Sequence, residues 1–145
     1  MAKVLDALAG TNTEVLSFSS SSYRQSFCLL VRKQELVHAL EAIEAALALE
    51  LHHGYLKPVD VNEDVGLLAI VGEGMQGTPG VAGRIFNAIS REKNNIISIA
   101  QGSSELTITI VVRRAGLEKA VQAVHAECKM SEKANSPVTC EREDS

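Results

Sequence analysis

Residues 65–112 read VGLLAIVGEGMQGTPGVAGRIFNAISREKNNIISIAQGSSELTITIVV. Val65–Val71 is a short apolar run ended by Gly72, the pattern of a buried strand. Gly74 to Gly80 is a glycine-rich loop, with Thr78-Pro79 just ahead of helical spacing at Ile85, Phe86 and Ile89. Arg91 to Asn95 is polar, and Asn94-Asn95 offers residues tolerant of left-handed backbone angles for the helix exit. Ile96–Ala100 reads as a strand, Gly102–Ser104 as a short turn, and the alternating β-branched residues of Leu106–Val112 as another strand. Downstream, apolar residues at 117, 120, 121 and 124 give Leu117–Cys128 helical spacing. The order is β-α-β-β-α. A tight link makes the second and third strands antiparallel, and strand–helix–strand units cross over right-handed. The simplest closure is a ferredoxin-like βαββαβ sandwich, an α+β fold with two helices on one face of an antiparallel sheet.

The same pattern occurs twice. Residues 3–47 slide onto 84–128 with a shift of 81 and no gap. Val4, Leu5 and Leu8 fall on Ile85, Phe86 and Ile89; Phe27, Leu29 and Val31 fall on Ile108, Ile110 and Val112. Only nine of these 45 pairs are identical, so the copies share a burial pattern rather than a surface chemistry. The first copy opens inside a helix (Lys3–Ala9) with no strand before it. It continues through strands at Val15–Phe18 and Ser26–Val31 and a helix from about Gln34 to Leu49, with Tyr55–Val59 as a final strand. The expected organisation is therefore tandem. Residues 1–60 form a unit lacking its opening strand, 61–128 form a second unit with no evident closing strand, and 129–145 are a polar tail expected to be disordered. Incomplete sheet edges are association sites.

Composition excludes several classes of function. The net charge is −4 with no basic run, and only 3% of residues are aromatic, so nucleic acid is not an expected partner. No apolar run approaches the roughly 18 residues of a membrane span. Cys28, Cys128 and Cys140 are an odd set without metal-ligand spacing, which reads as two core thiols and one in the tail of a reduced, cytoplasmic protein. His52-His53 lacks further ligand candidates nearby, so no metal is expected.

Gly72-Glu73-Gly74-Met75-Gln76-Gly77 has the spacing of a dinucleotide fingerprint between strand and helix. The next strand ends in Ala100-Gln101 with no acid for a ribose, and the chain hairpins back where a further crossover would be needed, so no nucleotide cofactor is expected. The loop still exposes backbone N–H groups at a helix N-terminus, supplied by Gly80, Val81 and Ala82, and these suit a carboxylate. Asn95 and Gln101, at the two ends of the following strand, add neutral amides that donate and accept. The set fits a free amino acid. The bland alternative is that Asn95 only shapes a turn and Gln101 only caps a hairpin. No arrangement of nucleophile and base points to catalysis. The first copy has Ser20-Ser21-Ser22-Tyr23-Arg24 where the second has Gln101-Gly102-Ser103-Ser104-Glu105, so the second copy is the better candidate for a working site.

Val71-Gly72-Glu73-Gly74-Met75, Pro79-Gly80-Val81-Ala82-Gly83-Arg84-Ile85-Phe86 and Ile99-Ala100-Gln101-Gly102-Ser103-Ser104-Glu105 together resemble the regulatory tail of aspartate kinases, a tandem of ACT domains. The resemblance is strong over 65–128, and 1–60 look like the preceding ACT unit from its first helix onward. It implies feedback control by lysine or threonine bound at an interface between paired domains, with Met75, Gly80, Val81, Ala82, Asn95, Ile96, Gln101 and Ser103 as effector contacts. It also implies a homo-oligomer or association with a full-length aspartate kinase subunit. The kinase domain's motifs are absent from these residues, so no phosphoryl transfer is expected of them. Two competing readings are a structural subunit that has lost effector binding and a small acyl-phosphate hydrolase using Arg84 and Asn95.

Overall fold

The computed structural model describes residues 1–21, 26–72, 75–102, 106–132 and 139–143. The chain divides into two compact units, Met1–Glu63 and Asp64–Ser145. The first contains α1 (Ala2–Gly10), β1 (Val15–Ser21), β2 (Ser26–Val31), a 3-10 turn at Lys33–Glu35, α2 (Leu36–Ala46) and α3 (Ala48–His52). β1 and β2 pair antiparallel as a two-stranded sheet. The helix expected from Gln34 to Leu49 is thus broken at Leu47, which buries its side chain at the junction of α2 and α3. Lys3 on α1 donates to the Glu50 carboxylate on α3, and this hydrogen bond holds that carboxyl below its ordinary pKa.

The second unit contains β3 (Val65–Val71), α4 (Val81–Arg91), β4 (Ile96–Gln101), β5 (Thr107–Arg113), α5 (Arg114–Glu132) and β6 (Thr139–Glu143). The sheet order is β4-β5-β3-β6 with every neighbouring pair antiparallel. This is the ferredoxin-like arrangement, with the first strand of the unit in the middle of the sheet. Leu68 and Ile70 of β3 and Ile108, Ile110 and Val112 of β5 point to one face, where Ile85 and Ile89 of α4 and Leu117, Ala120 and Val124 of α5 cover them. Period-2 alternation on the strands meets period-3.6 spacing on the helices, so one aliphatic core forms without aromatic residues. Gly66 lets α5 close on β3, since a Cβ there would stand 2.6 Å from Leu117 Cδ2.

The repeat is carried into the packing. The buried cluster of the first unit is Val4, Leu8, Ala39, Ile43 and Leu47. Shifted by 81, these become Ile85, Ile89, Ala120, Val124 and Cys128, all members of the second unit's core. Backbone detail repeats as well. Asn12 and Lys93, also 81 apart, are the two non-glycine residues with positive φ among the described residues, at 56° and 57°. Asn12 N–H bonds Ala9 O and Lys93 N–H bonds Ser90 O, closing the same helix-exit turn. The left-handed residue expected at Asn94 or Asn95 is therefore Lys93.

Three further expectations are corrected. Cys128 is a core thiol, but Cys28 lies exposed on β2. The polar stretch after 128 carries the end of α5 and then β6, which pairs with β3 from Leu67↔Glu143 to Val71↔Thr139. An open edge of β3 accepts a strand through backbone N–H and C=O groups, so polar composition did not forbid pairing. Tyr55–Val59 forms no strand, although Val59 still packs against the first unit's core. Pro58 lacks an N–H there, and under the shift of 81 residues 58–62 correspond to β6, whose only strand partner is β3. Among the described residues the first unit shows no counterpart of β3.

The left-handed turn yields a stability prediction. A non-glycine residue at φ near +57° carries a steric cost that glycine avoids, partly offset by glycine's greater freedom in the unfolded chain. Lys93→Gly is expected to raise stability by about 1 kcal/mol in urea denaturation, whereas Asn12→Gly changes it little because Asn tolerates this region. A destabilised Lys93→Gly variant would contradict the assigned turn.

Candidate functional site: the glycine loop and the end of strand β4

Because β5 runs antiparallel to both β3 and β4, β3 and β4 run parallel to each other. Their C-terminal ends share one end of the sheet. Val71 pairs with Thr107 and Gln101 pairs with the adjacent Ile108, which puts the ends of β3 and β4 two strands, about 10 Å, apart. The glycine loop leaves this end of β3 and enters α4. Its base is tied down by Gly72 N–H donating to Leu106 O at 2.9 Å. The loop then turns through Met75 N–H to Gly72 O at 3.2 Å and Thr78 N–H to Met75 O at 3.3 Å.

Gly80 is the N-cap of α4, with φ +85° and ψ −4°. The first intrahelical bond runs from Arg84 N–H to Gly80 O at 3.0 Å, and the N-cap, a glycine, has no side chain of its own to cap the helix. The N–H groups of Val81, Ala82 and Gly83 precede that bond, so they are the donors a helix start presents to an anion. Nothing lies within 4 Å of a Cβ built at Gly77 or Gly80, and both have positive φ. Glycine is needed there for backbone angle, not for space.

The structure therefore gathers Gly80, Val81, Ala82 and Gln101 at one end of the sheet. Val81 and Ala82 are half-buried and lean on the core, while Gly80 and Gln101 are exposed. Met75 lies beneath the loop as a core residue, 6% exposed, so its side chain anchors the loop. Asn95 and Ile96 are at the opposite end of β4. Ile96 pairs with Val112, itself opposite Gly66 at the start of β3. Asn95 and Gln101 stand about 20 Å apart along the strand. Within one copy of the chain, a single amino acid cannot touch both. Ser103, with Glu73, Gly74 and Glu105, lies outside the described residues.

Sequence reasoning missed the neighbours that hold these parts. Asn94 Nδ2 donates to Gly116 O at 2.9 Å, tying the helix exit to the first turn of α5. A Cβ on Gly116 would stand 1.7 Å from Asn94 Oδ1, so the glycine makes room for the amide. No periodicity signals such a contact. Ile97 and Ile99 were read simply as strand residues, yet they are 39% and 43% exposed on the same side of β4 as Gln101. Arg84 Nε contacts Glu127 Oε1 at 2.9 Å, so this guanidinium bridges α4 and α5 and does not converge with Asn95 on a phosphate.

Residues 68–128, from β3 into α5, match the family described as ACT domain. The chain is 37% identical over 125 residues to a bifunctional aspartokinase/homoserine dehydrogenase of Haemophilus influenzae, covering 85% of this chain and 15% of that protein. It is 34% identical over 128 residues to bifunctional aspartokinase/homoserine dehydrogenase 1 of Arabidopsis thaliana, covering 88% of this chain and 14% of the relative. Among solved structures, the ligand-free regulatory subunit of aspartate kinase from Thermus thermophilus superposes with a TM-score of 0.73 at 29% identity, over 87% of this chain and 81% of that one. Residues 68–128 are an ACT domain, and the chain is homologous to the regulatory region of aspartate kinases. Aspartate kinase from Clostridium acetobutylicum gives a TM-score of 0.69 at 29% identity, over 87% of this chain and 28% of the enzyme. The ACT region thus spans about 15% of the length of the curated relatives that it matches. No helix among the described residues is long and apolar enough to cross a membrane.

Backbone angle at the helix start is directly testable. Gly80→Ala forces a Cβ into the left-handed region without any crowding, so it is expected to cost about 1 kcal/mol in urea denaturation. An unchanged midpoint would show that the α4 start does not depend on the left-handed residue.

Proposed function

We propose that the second ACT unit binds a free amino acid, lysine or threonine, and that occupancy controls an aspartate kinase through subunit association. The observation that carries this reading is the start of α4, whose N-cap is a left-handed glycine and which shares a sheet end with an exposed amide at Gln101. The effector carboxylate would sit on the N–H groups of Val81 and Ala82, where the helix dipole favours negative charge. Gln101 would take the ammonium or side chain through its amide oxygen.

Asn95 enters the same reading through a second copy. β4 is an edge strand whose outer side makes no strand pairing among the described residues. Antiparallel pairing of two β4 strands about Ser98 would set Asn95 of one copy opposite Gln101 of the other. That pairing would also cover Ile97 and Ile99, whose exposure on an edge strand otherwise invites unspecific association. An interfacial effector contacting both copies then couples ligand occupancy to assembly. The likeness to aspartate kinases supports control of a kinase reaction by this module.

Calorimetric titration with lysine and with threonine at millimolar concentration tests the reading. One of them is expected to bind, and Gln101→Ala is expected to weaken it about tenfold, the loss of one good hydrogen bond. Absence of both heat and a melting-temperature rise for every common amino acid would leave this chain a structural subunit without an effector.

A further inference from the structure

Both units contain the corner where the chain leaves a helix and enters the next strand, and the two versions can be compared position by position. Under the shift of 81, Thr13, Glu14, Arg32 and Glu35 become Asn94, Asn95, Arg113 and Gly116. The backbone around them repeats. Val15 pairs with Val31 as Ile96 pairs with Val112, and each ladder slips at the next step, between Val15 and Ser17 and between Ile96 and Ser98.

The side-chain contacts do not repeat. In the first unit the corner is closed through residue 14. Glu14 N–H donates to Glu35 Oε2 at 3.1 Å, and Arg32 Nε donates to Glu14 Oε2 at 3.0 Å. Backbone and side chain of Glu14 are thus both engaged within the unit. In the second unit the closure has moved back by one residue. Asn94 Nδ2 donates to Gly116 O at 2.9 Å in a partly buried contact. Glycine stands in place of the glutamate, and the Asn94 amide fills the space that a Cβ at residue 116 would need. Asn95 is left exposed, with no side-chain partner among the described residues.

Asn95 lies between two departures from regular backbone, the left-handed Lys93 and the slip between Ile96 and Ser98. Without a tether its amide would sample many directions, and a ligand would have to arrest that motion on binding. We propose that Asn94 is a positioning residue: through Gly116 it holds Asn95 turned outward at the start of β4, ready for an effector bound against Gln101 of a second copy. The inference rests on the effector reading above and adds to it the first turn of α5 as the anchor of the site.

The test uses the full chain. Asn94→Thr installs the residue that the first unit carries at the same point, Thr13, and removes the donor to Gly116 O. The Kd for threonine or lysine, whichever the unaltered chain binds, is expected to rise about tenfold, as for loss of one well-made hydrogen bond. Gly116→Ala displaces the same amide from its other side and is expected to do likewise. Mixing separates positioning from general damage. In a mixed pair of Asn94→Thr and Gln101→Ala copies, one of the two sites takes Asn95 from the Gln101→Ala copy and Gln101 from the Asn94→Thr copy, both intact. Random pairing is therefore expected to return the unaltered affinity to about a quarter of the sites. Unchanged affinity in both Asn94→Thr and Gly116→Ala, or a loss that mixing does not restore, would overturn the tether and leave the effector reading standing. Binding of neither amino acid by the unaltered chain would overturn both.

Discussion

The insertion of Leu68 and Ile70 between the helices and the middle of the sheet is the contact on which the second unit depends. Both side chains are fully buried, and their strand joins β5 on one side to β6 on the other. Burial of two aliphatic side chains of this size is worth about 4 kcal/mol, a large fraction of a small domain's stability. That strand also fixes the site. Its end at Val71 launches the glycine loop, its pairing with Thr107 sets the height of Gln101, and Gly66 admits the helix that closes the core. In the first unit, where β2 pairs with β1 alone among the described residues, the helices keep their cluster but β2 is half covered.

The site uses little beyond backbone. Gly80 in the left-handed region turns the chain so that α4 begins without a side-chain cap, and Met75 holds the loop from below. A helix start without a cap binds a carboxylate through partial charges that titrate at no physiological pH. On the proposed reading, selectivity among amino acids comes from groups across an interface. This fits the separation of Asn95 from Gln101 along β4 and the exposed isoleucines between them. A ligand that touched both copies would couple its occupancy to assembly directly.

The fold was largely legible because the duplication doubled the signal. Helix and strand periodicity placed α1, β1, β2, α4, β4 and β5 within a few residues, since each has one apolar face. β6 was not legible, because an edge strand pairs through its backbone and its polar side chains need not face a core. The false strand at Tyr55–Val59 failed for the complementary reason: apolar residues are present but the neighbouring strand is not. The glycine loop before α4 and the place of Gln101 at the end of β4 were readable from residue type and spacing. The placement of Asn95 at the far end of the sheet depended on strand direction, which composition does not encode. Asn94 with Gly116, and Arg84 with Glu127, are contacts between segments remote in sequence and had no local signature.

The two units share a packing plan, and on the proposed reading the second holds the effector. Backbone amide shifts in a heteronuclear NMR titration of the intact chain with threonine and with lysine address it most directly. The account predicts that one of them moves the resonances of Val81, Ala82 and Gln101, while Ser20 and Ser21, at the counterpart position in the first unit, stay fixed. Shifts centred on Ser20 and Ser21, with Val81, Ala82 and Gln101 unmoved, would contradict it.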